Sequence, residues 1–406
     1  MDIDLDLYRH EVRVSTNPLG RLLAIDMSPD HPSGFLFLFM QEVSMKSVVR
    51  ISFNVIFTLL FSACVAATPA ESSPTEGINA PAVTPILTLV SVPTATPTSL
   101  PEILPTPASI TSFDERLLAT FEIFKEPDEM VFVKGYLWTK TADGHVVQID
   151  PATNTVTADI KVDTTTDPFH FCQGLGTDGE DIWVCSASGD ADNRTIDTLR
   201  VDPESQRIVE TFKVGKIFEQ FDLAFLLNQI WVLTGSGDTL VGIDVTNSEV
   251  SPPIDLGARC FQLALVGKSL MATCSLDNVI LQIDPEKREV TRRVDIKNPR
   301  FIAGDENGVW LALGSAIIRL DPKSLNPVVT FTNLPSMATG DIFVTNEAVW
   351  VRHETGFLFR IDPARNQIVE QIKIDKNLAG GSVLVTSDSI WATAYDNNLL
   401  FRLSLK

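Results

Sequence analysis

From residue 117 to residue 406 apolar and polar residues alternate in short runs, the period of strands with one buried face. Residues 137–162, LWTKTADGHVVQIDPATNTVTADIKV, show the unit. An apolar-Trp pair is followed by a polar loop, an alternating run ending in Ile149-Asp150-Pro151, a turn, and a second alternating run. The unit recurs down the chain. All six tryptophans, Trp138, Trp183, Trp231, Trp310, Trp350 and Trp391, fall at one register of it, and Met271 takes the missing place. Successive spacings are 45, 48, 40, 39, 40 and 41 residues. Four short strands in a period near 40 predict a β-propeller blade.

A second marker follows each of the first six units: Asp150, Asp202, Asp244, Asp284, Asp321 and Asp362, all but Asp244 followed by proline. An aspartate accepts hydrogen bonds from backbone N–H groups two residues on, and proline presets φ for the next turn position. Asp-Pro-x-x-Asn is therefore expected to join the third and fourth strands, with Asn154 and Asn366 in left-handed geometry. Because these aspartates repeat, they read as structural. The tryptophans read as wedges between neighbouring blades, each burying roughly 150–250 Å².

The last unit, residues 380–406, supplies only three strands, and the chain stops where its Asp-Pro turn would begin. Residues 117–123, LLATFEI, precede the first unit without a partner and align with the fourth-strand runs TVTADIKV and QIVEQIKI. The expected fold is an all-β, seven-bladed propeller of four-stranded antiparallel blades over residues 113–406, closed by the N-terminal strand completing the last blade. Closure leaves no blade without a neighbour. VVQIDPATNTVTADIKV and FRIDPARNQIVEQIKI resemble YVTN-type propeller repeats, and FIAGDENGVWLALG resembles NHL and virginiamycin B lyase blades. The resemblance implies the propeller fold. Its families include surface-layer proteins, binding scaffolds and a few enzymes.

Ahead of the repeats the pattern changes. Residues 1–44 carry no sustained periodicity and read as a non-native or disordered extension, with translation starting at Met45. Lys46 and Arg50 then precede an uncharged, mostly apolar run over residues 51–63, too short to cross a bilayer, which takes about 20 residues. It fits a signal-peptide core over residues 45–63. The run ends Leu60-Phe61-Ser62-Ala63-Cys64, which resembles the lipobox of bacterial lipoproteins. That resemblance implies cleavage before Cys64 and a lipid on its thiol. Residues 64–112 hold nine of the chain's 24 prolines and no Lys or Arg, so an extended, solvated tether is expected.

The formal net charge is −20, which repels phosphate backbones and anionic headgroups and sets aside nucleic acid as a partner. Membrane contact is expected through the lipid anchor only. Beyond Cys64, Cys172 and Cys185 are symmetric about the Asp178-Gly179 turn, and Cys260 and Cys274 about Val266-Gly267-Lys268. Residues opposite one another in a hairpin have Cβ atoms within disulfide reach. Two bridges are expected in an exported protein.

In a propeller the loops from fourth strand to first, and from second to third, form one face over the central channel. Asp128, Glu129, His170, Asp222, Arg259, Arg300, Asp341, His353 and Glu354 are the candidate ligand-binding residues of that channel mouth. Asp190-x-Asp192-Asn193 has oxygen ligands at calcium-like spacing but lacks the glycine and terminal glutamate of an EF-hand loop. No catalytic triad order, phosphate loop or zinc motif is present. The expected function is a lipid-anchored, extracytoplasmic, monomeric propeller that binds a protein or a small polar ligand, without a cofactor. The alternative is a lyase using a divalent cation, for which His353-Glu354 is the nearest parallel to the virginiamycin B lyase constellation.

Overall fold

The computed structural model describes residues 107–406 apart from 125, 165–173, 190–194, 216–221, 355–356, 377 and 379, with the backbone of Arg13–Thr16, Leu22–Asp26 and Glu102–Ile103. Contacts divide the chain at residue 91 into two units. In the first, Arg13–Thr16 and Leu22–Asp26 pair as an antiparallel hairpin, where the sequence shows no sustained period.

The second unit is the propeller. Blade 1 is Pro127–Val133, Tyr136–Thr141, His145–Asp150 and Thr155–Lys161, in that order from the inside out. Blade 2 runs from Leu175–Thr177 to Arg207–Gly215, blade 3 from Leu223–Leu226 to Ile254–Asp255, and blade 4 from Gln262–Val266 to Glu289–Asp295. Blade 5 runs from Phe301–Asp305 to Pro327–Phe331, and blade 6 from Asp341–Val344 to Gln367–Lys373. Blade 7 takes Val383–Val385, Ser389–Ala394 and Leu399–Ser404 from the C-terminus and its outer strand, Leu117–Glu122, from the N-terminal side. Each first strand touches the first strands on either side, and blade 7 meets blade 1. The ring is closed, as expected. Blade 3 has the shortest outer strand because Pro252 and Pro253 withhold the N–H groups a ladder needs.

The Asp-Pro turns behave as their chemistry dictates. All six aspartates accept the N–H two residues on; for Asp150 and Ala152 the distance is 2.8 Å. Asn154 and Asn366 are left-handed, at φ 53° and 51°. The other four turns place Gln206, Ser248, Arg288 and Leu325 in the same geometry, so the turn imposes αL even on residues that resist it.

The tryptophans are core. None exceeds 1% exposure, and Met271 is fully buried. Opposite each of them on the third strand stands Gln148, Arg200, Gly242, Gln282, Arg319, Arg360 or Arg402. Arg319 lies over Trp310, 5.3 Å from its centroid, and Arg402 over Trp391 at 5.2 Å. Each then reaches the next blade. Arg319 donates to the Pro363 carbonyl and to Asn366 Oδ1, and Arg402 to the Pro151 carbonyl and to Asn154 Oδ1. The Asp-Pro turn is thus also the receptacle of a clasp between blades, and Arg402 fastens blade 7 to blade 1.

The N-terminal approach corrects one expectation. The solvated tether was expected to extend through Ser112, but Ser109–Ser112 adds a parallel fifth strand to blade 6. Glu102–Ile103 does the same on blade 5. Thr111 Oγ1 donates to Glu370 at 2.7 Å, and Phe113 is buried edge-on to Phe357 and Phe401. An outer strand has an unpaired row of backbone groups, and a proline-free stretch of tether satisfies them. Cys260 and Cys274 are disulfide-bonded, as their hairpin symmetry predicts. Cys64 and Cys172, and with Cys172 the second bridge, lie outside the described residues.

Candidate functional site

Counting back nine residues from each Trp or Met reaches the same point on every first strand: Glu129, Gly174, Asp222, Gln262, Phe301, Asp341 and Ser382. First strands line the channel, and this register lies at or near the end reached from the preceding blade. The repeat therefore gathers three carboxylates at one mouth of the channel, and Asp128 adds a fourth. Glu129 feels the charges of Asp222, Asp128 and Asp341, so residues more than 200 positions apart in the chain meet here.

Three of the four carboxylates, with Gln262 and Ser382, also tie one blade to another. Asp222 accepts the N–H of Leu223 at 2.7 Å and that of Leu263, in blade 4, at 3.0 Å. Asp341 accepts from Ile342 at 2.7 Å and from Val383, in blade 7, at 3.0 Å. Gln262 Oε1 accepts from Ile302 in blade 5 at 2.7 Å. Ser382 Oγ donates to Asp128 at 3.0 Å across the junction of blades 7 and 1. Gly340, just before Asp341, has no Cβ because one would meet the Arg352 carbonyl at 2.1 Å.

The four carboxylates are half-buried, with protein packed around them. That burial dominates their acidity. It holds Asp128 at about 6 and both Asp222 and Asp341 at about 7, against the bonds each accepts. Glu129 is pushed well above the carboxylate range, by burial first and then by its three acidic neighbours. Near neutral pH the mouth therefore shares protons among four carboxyl groups. Tyr395 is also raised, by burial and then by the charges of Glu126 and Asp128.

The remaining candidates are dispersed. Arg259 and Arg300 are exposed on loops leading into first strands. Arg259 stands 3.6 Å from Asp277, and Arg300 donates to the Ala338 carbonyl at 3.3 Å. Glu354 accepts from Thr339 N and Oγ1 at 3.2 and 3.3 Å. His353 is fully buried and stacks on Phe359 at 4.3 Å, so it is a core residue rather than a channel ligand. Strand alternation turns it inward while Glu354 follows at the strand end. His170 and residues 190–194 lie outside the described residues. Among the described residues no three His, Cys, Asp or Glu side chains stand close enough to hold one metal ion.

Gln262 and Ser382 belong to the mouth although they escaped the sequence reading, which weighted charge. The fixed offset from tryptophan was the signal that would have found them. Two residues past the tryptophan, the same counting gives Lys140 and Arg352, both fully enclosed. Lys140 Nζ lies 3.7 Å from Asp163. Arg352 donates to the carbonyls of His353, Phe357, Leu378, Gly380 and Thr393 and covers the Phe357 ring at 4.4 Å.

No protein-family model matches the chain, and no curated protein does. Solved structures match in number, 1493 chains in all, so the architecture by itself does not single out a function. One of them is the Pan2 WD40 domain of Neurospora crassa, with a TM-score of 0.57, 10% identity, and coverage of 73% of this chain and 98% of that one. At that identity the likeness establishes the fold alone, a seven-bladed β-propeller.

Proposed function

We propose that this protein is a non-enzymatic binding module, held outside the cytoplasm by a lipid on Cys64, whose channel-mouth face receives a protein or a small polar ligand. The observation that carries the reading is the engagement of the mouth's polar groups. Asp222, Asp341 and Asp128 hold blade to blade through Leu263, Val383 and Ser382. A group whose bonds are spent on architecture is poorly placed as nucleophile or general base, which must reach the substrate's proton. Such a ring is rigid, and rigidity lowers the entropic cost of binding at the rim. His353, on which the lyase alternative leans, faces Phe359 in the core.

Two measurements test this reading. Cross-linking on intact cells should trap a partner that is lost in Arg259→Ala/Arg300→Ala and retained in Arg207→Ala/Arg365→Ala, on the opposite side of the blades. Equal trapping by both pairs would move the site away from the mouth. Cys64→Ser should release the protein from the detergent phase into the aqueous phase, and an already soluble wild type would refute the anchor.

A further inference from the structure

One blade has no side chain at the third-strand position from which this clasp is made. In blades 2, 4 and 7 the third-strand side chain opposite the tryptophan or Met271 also donates to the residue two places before it. Arg200 reaches Asp181, Arg402 Nε reaches Ser389 Oγ at 2.8 Å, and Gln282 reaches Ser269 Oγ at 3.2 Å. In blade 3 the donor position is Gly242 and the acceptor is Gln229. Gln229 Oε1 is buried with no hydrogen-bond partner. A Cβ on Gly242 would meet that same oxygen at 2.3 Å, so the acceptor marks the course the missing side chain would follow. A buried oxygen left unsatisfied costs about 1–3 kcal/mol, which makes this an unusual place for an orphan.

Open space lies beside Gln229. Between blade 3 and the turn of blade 4 lies a cleft of about 520 Å³, lined by Gln229, Asp244, Glu249, Val250, Pro252 and Arg288. Asp244 Oδ1 takes the turn's N–H groups at 2.8 and 3.2 Å, and the Glu249 side chain is exposed at the rim. Arg288, from the next blade, sits 5.9 Å from the Trp231 centroid and donates to the Pro252 carbonyl. It forms the far wall. The walls thus carry two carboxylates and an amide oxygen against one cation.

We propose that the blade 3–blade 4 cleft binds a small organic cation, a guanidinium or alkylammonium compound, whose donors replace those of the absent third-strand arginine at Gln229 Oε1. The flanking Asp244 and Glu249 supply charge complementarity, and Val250 and Pro252 provide an apolar wall for the alkyl portion. The cleft lies on the face opposite the channel mouth, so this site is independent of the function proposed above.

Agmatine, with a guanidinium at one end and an amine at the other, is the probe. Isothermal titration of the full chain should show one site. Gly242→Arg restores the arm found in blades 2, 5, 6 and 7, and should weaken binding by at least about tenfold by filling the cleft from within. Gln229→Leu removes the orphan acceptor, keeps the volume, and should weaken binding similarly; it decides the matter if Gly242→Arg does not fold. Asp222→Asn, at the channel mouth, should leave agmatine binding unchanged. Three results would overturn the proposal: no heat at millimolar agmatine, equal affinity in wild type and Gln229→Leu, or loss of binding in Asp222→Asn alone.

Discussion

The two ends of the propeller join blades by opposite chemistry. At the channel mouth, acceptors on one first strand take backbone N–H groups from the next, as Asp222 does with Leu263 and Asp341 with Val383. At the far end, donors on a third strand give to backbone carbonyls of the next blade, as Arg319 does with Pro363 and Arg402 with Pro151. The cationic end rests on tryptophan faces, where stacking and charge assistance add to the hydrogen bonds. The acidic end has no such support and brings four like charges together. One junction therefore gains from its charge, whereas the other is held in spite of it.

The most damaging change removes the junction both ends depend on. Truncation through Glu122 deletes the outer strand of blade 7 and the buried Phe113, Phe121 and their contacts. Loss of a cooperative thermal transition, or aggregation, is expected. Truncation ahead of Glu102 should leave the midpoint unchanged, because the outer strands of blades 5 and 6 keep their additions. An unaltered transition in the first variant would disprove closure by this strand.

Next in size is the cationic clasp. Arg402→Ala removes the stack on Trp391 and the bonds to Pro151, Asn154 and Ser389. A loss of about 2–3 kcal/mol in urea unfolding is expected, since bonds from charged groups contribute roughly 1.5–3 kcal/mol. Arg300→Ala, on the exposed rim, should change stability by less than about 0.5 kcal/mol. Equal effects would erase the distinction between a clasp and a rim.

The smallest effect separates the two ends by pH. The folded carboxylates at the mouth titrate at about 6 for Asp128 and about 7 for Asp222 and Asp341, above an ordinary value of 3.8. Between those limits the folded state holds more protons than the unfolded one, so stability falls as pH rises through 6 to 7. Urea midpoints should therefore fall as the pH is raised from 5 to 8. Asp341→Asn should flatten that slope while keeping one acceptor for Val383. Arg402→Ala should lower the whole profile without altering its slope. A slope unchanged in Asp341→Asn would mean that the mouth does not carry the titration.

How far residue order alone reached depends on the range of the interaction. The blade count, the strand sequence within a blade, the six Asp-Pro turns and the Cys260–Cys274 bridge all rest on contacts within one repeat. Alternation and turn chemistry dictate these locally, and repetition multiplied the signal. The partner of residues 117–122 was also readable, because a repeat missing one strand and a strand missing its repeat complete each other. The chain's order did not disclose the fifth strands, since Ser109–Ser112 carries no pattern apart from the edge it covers. Nor did it place His353, whose fate turns on Phe359, or distinguish the clamping roles of Asp222 and Asp341 from those of free carboxylates. Gly242 looked like any strand glycine until its neighbours showed an acceptor without a donor. Each of these is decided by groups in another strand or another blade, which the tertiary fold rather than residue order brings within bonding distance.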